Sequence, residues 1–69
     1  MPVITIDIGS IPVDQKSELI RTMTENASRI THIPSDFFTV VIHEQSDDNI
    51  GIGGKTIRET KEIHAKKQI

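Results

Sequence analysis

Apolar and polar residues alternate at the start of the chain. Ile4, Ile6 and Ile8 fall on one side of an extended backbone and Val3, Thr5 and Asp7 on the other, which predicts a strand over residues 3–8 with one better-buried face. Gly9-Ser10 ends it. The period then changes: Val13, Leu19, Ile20, Met23, Ala27 and Ile30 recur at three-to-four spacing, while Lys16, Glu18, Arg21, Glu25 and Arg29 fall mostly elsewhere. This predicts an amphipathic helix over residues 13–30. Pro12 suits its first turn, where a missing N–H is not required, and Asp14 adds favourable negative charge there. Pro34 disfavours a helical backbone at Ile33, so the helix ends near Thr31 or His32. Phe37 to Glu44 is nearly continuous in apolar character, broken by Thr39 and His43, as expected of a strand covered on both faces.

Two strands joined by a long helix predict a βαβ unit with parallel strands and a right-handed crossover. The fold class is therefore α/β, in a single domain over residues 1–69. One helix covers only one sheet face, and the other, carrying Phe37 or Phe38 and Val41, needs a partner subunit. Chain length adds weight to this. Sixty-nine residues bury a smaller fraction of their surface than a typical domain. With no cysteine, disulfides are excluded and oligomerisation is the remaining staple.

Between Asn49 and Thr56 runs Asn-Ile-Gly-Ile-Gly-Gly-Lys-Thr. A P-loop needs glycine where Asn49 sits, and a dinucleotide fingerprint starting at Gly51 needs glycine where Thr56 sits. The glycines read instead as a turn or short hairpin with close backbone approach. No metal motif is present: His32, His43 and His64 are scattered, and His43-Glu44 lacks the second histidine of a zinc-protease helix. His43 reads as a partly buried strand histidine bonded to a carboxylate or backbone group. Asn26-Ala27-Ser28 matches a glycosylation acceptor, but inside a predicted helix it reads as coincidence.

Charge is uneven. Residues 1–54 carry eight acidic and three basic groups, net −5, whereas residues 55–69 carry two acidic and five basic, net +3. Arg58, Glu62 and Lys66 stand at helical i,i+4 spacing, and no Tyr or Trp is available to stack on bases, so residues 55–69 read as a solvated basic tail and not as a nucleic-acid contact. No apolar run approaches the roughly 20 residues of a membrane span, and no signal-peptide pattern opens the chain. The expectation is a soluble, cytoplasmic protein without membrane or nucleic-acid partners.

Pro2 carries the chemistry. A small side chain after Met1 allows the initiator to be cut away, leaving a secondary amine that can act as base or nucleophile near neutral pH. The strand predicted from Val3 holds that terminus in place. Taken together, Met1-Pro2 at the head of a strand, the Asp14-Gln15-Lys16 helix start, a strand ending Ile42-His43-Glu44, and Ile50-Gly51-Ile52-Gly53-Gly54 resemble the 4-oxalocrotonate tautomerase family from Pro2 to Gly54.

The resemblance implies an oligomer of βαβ subunits, a homohexamer built from dimers, with sites between subunits. It implies Pro2 as general base in a 1,3- or 1,5-proton shift on a small 2-hydroxy-2-enoic or 2-oxo acid, with neither metal nor organic cofactor. It also marks two departures. The positions of the family's two substrate-binding arginines hold Ile11 and Thr39 here, and the aromatic wall before the glycine turn is Ile50. Lys55 and Arg58 are the nearest replacement cations in sequence. A non-catalytic oligomeric module, or a proline-dependent hydratase or dehalogenase, remain the alternative readings. If Met1 stays in place, the Pro2 nitrogen is an amide without basicity.

Overall fold

A computed structural model describes residues 1–67, with side-chain surroundings through Ala65. Strand β1 spans Val3–Gly9 and helix α1 Val13–Thr31; a 3-10 turn over Ser35–Phe37 leads into β2, Thr39–Gln45. A hairpin of β3, Gly51–Ile52, and β4, Lys55–Thr56, then precedes α2, Ile57–Lys67. β1 and β2 are parallel neighbours, registered from Val3 opposite Thr39 to Gly9 opposite Gln45. The parallel βαβ unit read from the periodicity is therefore formed.

Local chemistry explains the boundaries. Pro12 sits just outside α1 in an extended conformation, and its carbonyl accepts the Lys16 N–H at 3.1 Å. At the other end His32 adopts a left-handed conformation, φ 61°, and donates its N–H to the Ser28 carbonyl at 2.9 Å. The Ser28 hydroxyl donates to the Ile33 carbonyl at 2.6 Å, closing the helix before Pro34. The second strand starts later than its apolar run suggests: Phe37 belongs to the 3-10 turn, and pairing begins at Thr39.

Nor is β2 covered on both faces within one chain. Val40 and Ile42 are half-buried toward α1, whereas Thr39, Val41 and His43 are exposed. Among the described residues none is buried, and Val3, Phe37 and Ile52 are 60%, 55% and 70% exposed. The radius of gyration is 16.1 Å, against about 11 Å for a compact domain of this length. A single chain thus forms its secondary structure without enclosing a core.

The glycine segment is the hairpin expected of it. Gly53 and Gly54 have φ of 61° and 84°, the left-handed pair that a two-residue hairpin turn demands. A Cβ on Gly51 would lie 2.8 Å from the Lys55 carbonyl oxygen, so strand approach excludes a side chain there.

Residues 57–67 form α2 where the charge pattern suggests a solvated tail; Gln68 and Ile69, which that reading also covered, lie outside the described residues. Its start is a capping box. Glu59 N–H donates to the Thr56 hydroxyl at 3.1 Å, and the Glu59 carboxylate accepts from that hydroxyl at 3.1 Å and from the Thr56 N–H at 3.5 Å. Arg58 reaches Asp48 through Nε at 2.6 Å and a second nitrogen at 3.2 Å, and Lys61 reaches Asp47 at 2.9 Å.

Candidate active site

Pro2 lies at the entrance to β1, with Thr39 beside it at the entrance to β2. The Thr39 N–H donates to the Pro2 carbonyl at 3.0 Å, extending the ladder one step below Val3 and fixing the proline against the sheet. The Thr39 side chain is exposed at this end, free to donate to a ligand oxygen. Met1 is 96% exposed.

Ile11 and Ile50 lie at the opposite end. β1 has seven residues, roughly 23 Å of strand, and Ile11 follows its far terminus. Ile50 comes after the turn that leaves β2, and its carbonyl accepts the Ile57 N–H at 2.8 Å. The structure therefore pairs Pro2 with Thr39 and groups Ile11 and Ile50 at the far end of the same chain. A pocket containing all four draws them from more than one copy.

The far end is held by a contact with no local sequence signal. Glu44, the penultimate residue of β2, accepts the Ile11 N–H at 3.0 Å through one oxygen and a hydrogen bond from Lys16 Nζ at 2.8 Å through the other. The Lys16 hydrogen bond, then the Ile11 N–H, holds the Glu44 carboxyl below its ordinary value. Ile11 also lines an open groove of about 410 Å³ with Ile8, Gln15, Glu18, Leu19, Thr22 and Met23. This groove lies between the end of β1 and the first half of α1, and Pro2 does not line it, so it is not by itself the pocket of a proline base.

The candidate cations differ in availability. Arg58 is committed to Asp48, which raises the guanidinium's pKa and lowers that of the carboxyl, chiefly through their hydrogen bond. Lys55 has no ion-pair partner among the described residues. His43 Nδ1 stands 3.2 Å from Asp7 on the neighbouring strand. The carboxylate partner is as expected, but the ring is 53% exposed and so not partly buried: position 43 faces away from α1. Among the described residues no three metal-ligating side chains converge, and no helix is long and apolar enough to cross a membrane.

Residues 2–60 match the family model described as tautomerase enzyme, which carries the likeness past Gly54 into α2. A solved 4-oxalocrotonate tautomerase homologue is 30% identical, with 86% of this chain and 95% of that one covered and a TM-score of 0.79. A heterohexamer 4-oxalocrotonate tautomerase from Chloroflexus aurantiacus is 23% identical, with 86% and 97% covered and a TM-score of 0.82. A chain studied for trans-3-chloroacrylic acid dehalogenase activity is 27% identical over 80% and 97%, with a TM-score of 0.71. No curated protein matches the sequence. With the strand order, the hairpin and a family match that opens at Pro2, the chain belongs to the 4-oxalocrotonate tautomerase family.

Proposed function

We propose that this chain is a cofactor-independent tautomerase whose general base is the Pro2 amine, freed by removal of Met1. Its substrate is a small 2-hydroxy-2-enoic or 2-oxo acid. The amine takes the proton of the enol hydroxyl as the C2–C3 double bond shifts to C2–O, and the same proton is delivered to C3 or, in a conjugated diene, to C5. No oxidant or metal enters the balance. The observation that carries the reading is the family match beginning at Pro2, with that residue held at the head of β1 by Thr39.

Ile50 supplies an apolar wall, which disfavours the protonated amine and keeps it a base near neutral pH. Thr39 donates to the substrate carbonyl oxygen, and Ile11 closes the pocket from another copy. The absence of guanidinium groups at positions 11 and 39 favours a monoanionic acid over a dicarboxylate. The chain assembles as a homo-oligomer, a hexamer like the heterohexameric relative, and works in the cytoplasm. The open sheet face and missing core support assembly.

Two measurements test this. Intact mass of protein from its native cell is expected to lack Met1; its retention removes the base and overturns the reading. Pro2→Ala is expected to lower kcat/KM on phenylenolpyruvate by about 100-fold or more with unchanged circular dichroism, residual activity coming from the remaining primary amine. Equal rates refute the base. The dehalogenase relative supports a second reading, addition of water to an unsaturated acid, which chloride release from 3-chloroacrylate distinguishes.

A further inference from the structure

Glu44 breaks the pattern of its own strand. Val40 and Ile42 point toward α1, and two residues on, the same face carries a carboxylate paired in register with Ile8. Its ion pair with Lys16 leaves the two side chains 33% and 30% exposed, more sheltered together than the Arg58–Asp48 or His43–Asp7 pairs. A charged side chain on an inward face at the edge of a hydrophobic layer is unfavourable unless its partners compensate. Both oxygens are compensated here, and one partner is the backbone of Ile11.

The loop from Ser10 to Pro12 has few other means of being fixed. Pro12 has no N–H, and α1 starts without a side-chain cap. Glu44 holds the Ile11 amide from β2, and Lys16, one turn into α1, holds Glu44. Because amide and side chain share one Cα, fixing the Ile11 N–H also fixes where its side chain stands.

We infer that Glu44 is a positioning residue: with Lys16 as its brace, it holds Ile11 as a preset wall of the substrate pocket completed by a neighbouring copy. This rests on the proposed tautomerase site, with Ile11 in its wall. Such a residue acts on substrate binding and leaves the proton transfer at Pro2 untouched, so its signature is a change in KM with little change in kcat.

The experiment uses the full-length protein with phenylenolpyruvate as probe, the assembly of every variant being checked by sedimentation. Glu44→Ala is expected to raise KM about tenfold, with kcat within about twofold. In an Ile11→Ala background the same change is expected to add almost nothing, because the wall it positions has gone. Glu44→Gln supplies one acceptor oxygen to two donors and is expected to be intermediate. Adding Lys16→Met removes the competing donor, so the double variant Lys16→Met/Glu44→Gln is expected to return toward wild-type KM, a recovery that loss of a charge pair alone does not produce. An unchanged KM in Glu44→Ala, or full additivity with Ile11→Ala, overturns the inference while Pro2-dependent turnover persists. Wild-type turnover that does not depend on Pro2 overturns the proposed function first, and this inference with it.

Discussion

Replacing Val41 with lysine is expected to dismantle the protein, although Val41 makes few demands within its own chain. The single chain exposes 5409 Å², whereas a compact monomer of 7.7 kDa exposes about 4,300 Å². The excess, roughly 1,100 Å², is somewhat more than the ~800 Å² each partner contributes to a standard interface. With a little over half of it apolar, burial at ~25 cal/mol per Å² amounts to about 15 kcal/mol per chain before association and ordering costs. Val41 sits in the middle of β2 opposite Thr5, on the face turned from α1. Lysine there forfeits ~1.5–3 kcal/mol of valine burial and adds several kcal/mol for desolvating an ammonium. Total stabilities are only ~5–15 kcal/mol. Sedimentation velocity and far-UV circular dichroism at about 10 µM are expected to show an assembled, folded wild type and a Val41→Lys chain that is dissociated and largely unfolded. A variant that keeps wild-type assembly and melting temperature, or a wild type that is a folded monomer, refutes the reasoning.

Thr39→Arg is expected to raise kcat/KM for a dicarboxylate enol about tenfold more than for a monocarboxylate analogue, the worth of one charge-assisted hydrogen bond; parallel initial-rate assays check it. Glu44 binds its proton less readily in the folded chain, so its contribution is complete above the ordinary carboxyl value of 4.5 and is lost as pH falls through the lower folded value. Asp48, held by Arg58, behaves alike. Urea midpoints at fixed protein concentration are expected to fall between about pH 5 and pH 3, and to fall less in Glu44→Gln. Gly51→Ala is expected to lower the melting temperature by several degrees, because its Cβ meets the Lys55 carbonyl oxygen at 2.8 Å; Gly53→Asn, tolerated at positive φ, is expected to cost about 2 °C or less by thermal denaturation.

What the sequence reveals follows the range of the forces involved. β1 and α1 are legible because alternation and three-to-four spacing are local. The hairpin is legible because consecutive positive φ values admit few residues besides glycine. The start of β2 is not: Phe37 favours a strand by type, while the backbone after Pro34 closes a turn in which the Phe37 N–H donates to the Pro34 carbonyl at 3.0 Å. In α2 the signal was present, Thr56 and Glu59 at capping-box spacing, but the charge run of residues 55–69 obscured it. At the site, the place of Pro2 at the head of β1 is legible, because the strand pattern starts at the next residue. The Lys16–Glu44 contact joins side chains 28 residues apart, and no periodic pattern encodes it.

The length of β1 has a genetic consequence. With Pro2 as base and Ile11 as wall, as proposed, each copy lends its proline to one pocket and its Ile11 to another, because the two stand at opposite ends of one strand. A chain disabled at Pro2 still carries a sound wall, and a chain disabled at Ile11 still carries a sound base. Two such defective chains, mixed before assembly, are expected to form some pockets in which both intact parts meet, so that kcat/KM rises above that of either chain alone. The same division makes a defective chain harmful in company, since it spoils pockets whose other residues belong to normal copies.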